Sequence, residues 1–335
     1  MEPIIPPVPK HLLEQELTKE RLVRYSSRGE NRLYDINAHE APNTMREIGR
    51  LREIAFRVAG GGTGLASDID HYDVHPEAPY RQLVVWDPKR KEILGGYRYI
   101  IGAGILPENL ATHPIFNFSE TFIREYLPFT IELGRSFVQP NYQNSNENRS
   151  GLYALDNLWD GLGALIVRYP CMKYFFGKVT MYRSYNKQAR NCLLYFLNKY
   201  FPDPELLVTA KSPLDYNAGN PYYGEIFKNG QYEEDYRALV REIRACGERI
   251  PPLINSYMRI SPNMRVFGTT LNAHFGDVEE TGILITIKDM YPDRVGRHMN
   301  SLRNFAEKVR LKWWHRDPVT DKTAIRVSDK RSFHG

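Results

Sequence analysis

The sequence predicts an α/β protein whose central sheet is mixed, mostly antiparallel and broken by a bulge, with helices on its faces. Three observations predict it. Phe129, Ile131, Leu133 and Phe137 alternate with other positions at the period of a strand. That strand carries an acid and a base, Glu132 and Arg135, three residues apart. Strict alternation would send them to opposite faces, and a β-bulge near Gly134 absorbs one residue and returns both to one face. Finally, helical and strand periods follow the order helix, strand pair, strand, helix, strand, helix. This is not the regular βαβ alternation of a doubly wound nucleotide fold.

The elements follow in order. Residues 9–23 read as a helix with Leu12, Leu13 and Leu17 on one side, and residues 22–25 and 32–36 as paired strands around a polar turn. Pro42 and Asn43 open an amphipathic helix over 44–58, with Met45, Ile48, Leu51, Ala55 and Val58 as its apolar stripe, and the run Gly60–Gly64 ends it. Strands at 82–86 and 93–101 come next. The aromatic, irregular stretch 102–128 reads as a lid. After the Glu132 strand, residues 151–169 form a helix, 173–181 a strand, 186–200 a helix, 202–224 a long connection, 233–248 a charged helix and 282–287 a strand.

Of the 335 residues, 42% are hydrophobic and 25% charged, enough for a large core. No apolar run approaches the ~18 residues that span a bilayer, and the N-terminus has no export pattern. A cytoplasmic protein is expected, with reduced, mostly buried thiols at Cys171, Cys192 and Cys246. The net charge of +5 resides in one window, 297–316, with four Arg and two Lys against one Glu. A nucleic-acid binder needs a basic face across its fold, so nucleic acid is not an expected partner. In that window Leu302, Phe305, Ala306, Val309 and Trp313 keep helical spacing. Arg310 and Lys312 lie mostly elsewhere on the wheel, and Trp313 and Trp314 favour a lipid interface. The segment reads equally as a helix on an anionic membrane or as a docked helix with a solvated basic side.

Four motifs stand in order: Leu51-Arg52 with Phe56; Asp68, Asp70 and Asp73 in one loop; Gly95-Gly96-Tyr97-Arg98 at a strand end; and Glu132-Leu133-Gly134-Arg135. The acidic loop is not an EF-hand, which needs an oxygen ligand where Tyr72 sits and a glycine where Asp73 sits. No metal site is expected. Together these pieces resemble the N-acyltransferase branch of the GNAT superfamily, which includes the acyl-homoserine lactone synthases. A closer resemblance is to the long-chain N-acyl amino acid synthases of ornithine and glycine lipid synthesis, often labelled hemolysins. It rests on Glu132-Leu133-Gly134-Arg135-Ser136-x-Val138-x-Pro140, Leu158-Trp159-x-Gly161-Leu162 and Pro251-Pro252-Leu253-Ile254-x-x-Tyr257-x-Arg259. It spans residues 45–287. The tryptophan that lactone synthases carry before the acidic loop is replaced by the run Gly60–Gly64, which counts against lactone formation. The organisation expected is an N-terminal helix and hairpin (1–42), a GNAT-like acyltransferase core (43–290) and a basic helix and tail (291–335).

Acylating an amino acid requires a neutral amine, an activated thioester and a stabilised oxyanion. A carboxylate in a desolvated pocket has its pKa raised toward the base's task, and Glu132 is the candidate. The resemblance implies an N–H at the bulge, from Ser136, Phe137 or Val138, for the thioester carbonyl. Arg98 and Arg135 have forks that fit a carboxylate, and either holds the substrate's or locks Glu132. By resemblance, Arg52, Phe56, Asp70 and Asp73 order the substrate site. Acetyl-CoA-using relatives cradle pyrophosphate in a glycine-rich loop. Here the stretch 144–151, containing Arg149 and Gly151, has one glycine and an acidic Glu147. That favours an acyl carrier protein over CoA as donor, with Arg149 and Lys173 or Lys178 meeting its acidic surface. No bound cofactor is expected. Phe116, Phe118, Phe122, Tyr174, Phe175 and Phe176 are candidates to line an apolar trench, or are ordinary core. The competing readings are a CoA-dependent GNAT enzyme for another amine and a membrane-associated binding protein without turnover.

Overall fold

A computed structural model describes residues 1–27, 29–143, 149–228 and 230–291, with the backbone alone over 149–156. Its helices are α1 (Lys10–Glu16), α2 (Pro42–Val58), α3 (Arg149–Arg168), α4 (Lys187–Tyr200), α5 (Pro221–Ile226), α6 (Tyr232–Ala245) and α7 (Pro252–Ile260). Its strands are β1 (Leu22–Tyr25), β2 (Arg32–Ile36), β3 (Arg81–Asp87), β4 (Glu92–Ile101), β5 (Phe116–Phe118), β6 (Thr130–Val138), β7 (Tyr174–Met181), β8 (Val208–Ala210), β9 (Arg265–Asn272) and β10 (Val278–Thr286). Eight strands form one sheet in the order β1-β2-β3-β4-β6-β7-β10-β9, and β5 pairs with β8 apart from it. Every neighbouring pair in the large sheet is antiparallel except β6–β7.

Strand alternation sorts side chains between the two faces. Leu83 and Val85 of β3 pack with Leu158, Leu162 and Leu165 of α3 and with α4. Their neighbours Val84 and Trp86 pack with Met45, Ile48 and Leu51 of α2. Gly161 lets α3 lie close on the sheet, since a Cβ there would fall 2.0 Å from Leu83 Cδ2. α2 has no side-chain cap of its own. Instead Glu16, at the end of α1, accepts from the amides of Asn43 (3.0 Å) and Thr44 (2.7 Å), placing a carboxylate at the positive end of the helix.

The expected elements are present, with differences. The N-terminal helix stops at Glu16, and a 3₁₀ turn over Lys19–Arg21 leads into β1. Thus the stretch read as one helix is two short pieces. The region read as a lid is anchored in the core: Phe116 and Phe122 are fully buried in an aromatic cluster with Phe176. The long connection contains β8 and α5. β9 is an edge strand that the sequence reading does not include. The basic helix with Arg310, Lys312, Trp313 and Trp314 lies outside the described residues.

Two irregularities shape the centre of the sheet. Arg98 pairs with Gly134 and Gly96 with Phe137, so Arg135 and Ser136 oppose the single residue Tyr97. The bulge therefore falls one residue later than the sequence suggested, and Arg135, not glycine, takes the left-handed conformation at φ 51°. On the other edge of β6, pairing with β7 covers Thr130–Leu133 against Tyr174–Gly177 and then ceases, although both strands run on. A bulge bends its strand, and here the bend opens a fork between β6 and β7. Gly177 makes the last rung possible, because a Cβ there would lie 2.6 Å from the Leu133 carbonyl oxygen.

Candidate active site

Three arginines and three aspartates meet beside the fork. Arg52, from α2, binds Asp68 (3.0 Å) and Asp73 (3.1 Å). Arg98, from β4, binds Asp70 (2.7 Å) and Asp73 (3.2 Å). Arg135, from the bulge, binds Asp68 (3.0 Å) and approaches Asp70 (3.7 Å). Each charge meets two of opposite sign, so the six close into a neutral ring. Burial alone would raise the carboxyls of Asp68 and Asp73. The guanidiniums of Arg135 and Arg52 on the first, and of Arg52 and Arg98 on the second, hold both below the ordinary value. Burial and the neighbouring arginines lower the pKa of Arg135.

The ring unites the five residues given site roles from the sequence with Asp68, named there only as part of the acidic loop, which bridges Arg52 and Arg135. Arg52, Asp68 and Asp73 are fully enclosed. Each of the three guanidinium nitrogens of Arg52 donates to an aspartate, and the side chain is buried away from any substrate. Phe56 does not line a binding space either. It packs edge-on against Phe275 (5.1 Å), whose ring lies 4.0 Å beneath the Arg135 guanidinium. Both residues brace the site from the core.

Glu132 is 2% exposed. One oxygen accepts from the Tyr80 hydroxyl and the other from the Thr112 amide (3.0 Å). Burial raises its pKa against the opposing pull of Tyr80, Thr112 and Arg98. Tyr80 in turn accepts from the Ala111 amide (2.8 Å), and its ring lies 5.1 Å from the Arg98 guanidinium. The supposed lid therefore supplies the amides that seal Glu132. Arg98 and Arg135 are bound by aspartates, and neither is hydrogen-bonded to Glu132.

A narrow slot of about 70 Å³ fills the fork. Leu133, Gly134, Arg135 and Ser136 of β6 form one wall and Phe175 to Val179 of β7 the other. Ile283 and Ile285 of β10 form its floor, while Leu158, Trp159 and Leu162 of α3 and Leu253 and Tyr257 of α7 close it over. Trp159 and Tyr257 meet edge to face at 6.0 Å. Glu132, Phe137 and Val138 are not among the lining residues: Leu133 takes the slot side and Glu132 the opposite face. Of the six aromatics considered for a trench, only Phe175 and Phe176 line the slot. The sequence showed Trp159 and Tyr257 as parts of motifs, but nothing in their spacing revealed that they share one wall. A wider polar groove between α5 and α6, with Tyr222, Lys228, Arg237 and Arg241 on its rim, involves none of the β6 or β7 residues.

Lys178 points into the slot and pairs with Glu280, so it is not a surface contact for a carrier protein. Lys173 lies 4.0 Å from the Phe129 ring. Arg149 opens α3; its side chain and residues 144–148 lie outside what is described. Among the described residues no cluster of His, Cys, Asp or Glu could hold a metal, and no helix is long and apolar enough to cross a membrane.

An acetyltransferase (GNAT) domain family matches residues 51–150, which contain the whole ring and the β6 bulge. The chain is 52% identical to a glycine N(alpha)-acyltransferase of Phocaeicola vulgatus, over 90% of this chain and 94% of that protein. It is 54% identical to a glycine N(alpha)-acyltransferase of Bacteroides thetaiotaomicron, over 90% of each. No solved structure matches. The mostly antiparallel sheet, its forked parallel pair and this similarity agree: the chain belongs to the GNAT family of acyltransferases, as an N-acyltransferase enzyme.

Proposed function

We propose that the protein transfers a long fatty acyl chain, with or without a 3-hydroxyl, from acyl carrier protein to the α-amine of glycine, as the first step of aminolipid synthesis. The similarity over nine-tenths of the chain to two glycine N(alpha)-acyltransferases carries this reading. The ring favours glycine over ornithine. Ornithine brings a side-chain ammonium, and each aspartate of the acidic loop already serves two arginines.

In this reading the acyl chain lies in the slot against Trp159, Leu162, Leu253 and Tyr257. Each CH₂ withdrawn from water there contributes ~0.8 kcal/mol. The thioester carbonyl sits at the unpaired edge of β6 beyond Leu133, where a backbone N–H stabilises the oxyanion. The amine nitrogen attacks that carbon, the C–N bond forms and the C–S bond breaks. The phosphopantetheine thiolate leaves and takes up a proton. Glu132 accepts the amine's proton; being sealed, it does so through an intervening hydroxyl or water rather than by contact. The single glycine and acidic residue of the 144–151 stretch support a carrier protein over CoA as donor, with Arg149 and Gly151 near its phosphopantetheine. The basic C-terminal segment, with Arg310, Lys312, Trp313 and Trp314, suits a peripheral position on the cytoplasmic membrane face, where a lipid product departs.

The test is direct. Purified protein given acyl carrier protein loaded with a long acyl chain should yield N-acylglycine by mass spectrometry, and should yield less product with ornithine. Acylation of ornithine but not glycine would overturn the assignment. Faster turnover of the same chain on CoA would overturn the donor.

A further inference from the structure

The neutral ring leaves one cation of the slot outside it. Lys178, on β7 just past the last β6–β7 rung, hydrogen-bonds Glu280 alone among the described residues, leaving two of its three N–H groups for a ligand. Glu280 is held from behind by Asn272 (3.1 Å) and Thr180 (3.3 Å), so the pair is anchored at the carboxylate end and free at the ammonium end. Burial, with repulsion from Arg135 and Arg98, lowers the pKa of Lys178. Glu280 opposes that shift, and an anion arriving beside Lys178 would oppose it further. A second donor lies beside Gly134, which lines the same slot as Lys178. The Nε–H of Arg98, a residue 3% exposed, has no partner among the described residues. It lies 3.6 Å from where a Cβ on Gly134 would sit, over the one slot position of β6 without a side chain.

We propose that Lys178 and the Nε–H of Arg98 hold the carboxylate of the acceptor amino acid at the mouth of the fork, with Glu280 as the residue that positions Lys178. The inference rests on the reading of the protein as an amino-acid acyltransferase and names its specificity determinant. A carboxylate over Gly134 has its α-amine at the broken edge of β6, beside the thioester carbonyl. The apolar walls on the α3 and α7 side then take the acyl chain, so the two substrates approach the fork from different sides. An amine without a carboxylate loses this hold.

The experiment compares glycine with glycinamide as acceptors for one acyl donor, using the full chain. Wild type should prefer glycine by about 10- to 100-fold in kcat/KM, the range for hydrogen bonds to charged groups. Lys178→Met should collapse the preference by raising the KM for glycine, while glycinamide loses far less. Because that substitution strands Glu280, the double variant Lys178→Met/Glu280→Gln removes both charges and should show the same collapse. Lys178→Arg should restore part of the preference, which a merely structural role would not do. A preference for glycine retained in both the single and the double variant overturns the proposal. A wild type that acylates neither acceptor overturns the functional reading beneath it.

Discussion

On one side of the β6–β7 fork, three arginines and three aspartates close a ring in which every charge is used. On the other, a slot of leucines, isoleucines and aromatics is kept open by two strands that stop pairing. The first region is saturated and enclosed, and the second has open space and unpaired backbone. Ion pairs this deep contribute little net stability when intact, yet cost much when one partner is lost. Their role here is to fix the acidic loop, the bulge and the end of β4 against one another. The most conspicuous charges of the sequence are thus scaffolding, and the space for chemistry lies where hydrogen bonding gives out.

Glu132 sits at the border of the two regions, and its substitution divides them most sharply. Glu132→Gln keeps an oxygen for the Thr112 amide and turns an NH2 toward the Tyr80 hydroxyl, which can accept from it, but removes the basicity that burial raises. Acyl transfer should fall by ~10²–10⁴ with the melting temperature nearly unchanged. Undiminished turnover would make Glu132 part of the scaffold. Arg52→Met should do the reverse. It leaves Asp68 with Arg135 alone, Asp73 with Arg98 alone and the buried ring one negative charge in excess, costs about 3–5 kcal/mol of stability, and should appear as a large drop in denaturation midpoint. A variant as stable as wild type would show that the ring does not hold the loop. Trp159→Ala belongs to the slot alone. With long-chain donors kcat/KM should fall by about 10- to 100-fold, the loss of 1.5–3 kcal/mol of apolar burial, and with a short-chain donor much less. Equal losses would place the chain elsewhere. The smallest effect is on pH. Folded Asp68 and Asp73 have pKa values below the 3.8 of an ordinary aspartate, so they bind fewer protons than when unfolded. Their contribution is complete above that value and is lost as pH falls from there through their lower folded values. The raised pKa of Glu132 acts oppositely, lowering stability as pH rises above its ordinary 4.5. Thermal unfolding should therefore shift down below about pH 4, and a flat acid limb would contradict the charged ring.

How much of this was legible in the sequence follows the same division. Period-two alternation and helical stripes disclosed most strands and the long helices, and the ordered charged motifs disclosed the ring. β5 and β8, three residues each, are too short for alternation to show. Asp68 appeared only as one acid among three, because bridging Arg52 to Arg135 depends on how a loop folds back across β4 and β6. The slot was hardest to read. Its lining comes from β6, β7, β10, α3 and α7, and no local pattern announces that Trp159 and Tyr257 face the same opening. The bulge was foreseen from the offset of Glu132 and Arg135, but Gly134 was the natural place for it. Arg135 adopts the left-handed conformation instead, with its side chain bound to Asp68 and near Asp70.

The central claim is that the acyl donor enters the fork between β6 and β7. A fatty acyl donor carrying a diazirine on its chain, photolysed with the enzyme and mapped by peptide mass spectrometry, tests it most directly. Labels should fall on α3 and α7, at Trp159, Leu162, Leu253 or Tyr257. Labels confined to the groove between α5 and α6, with the fork unmarked, would contradict it.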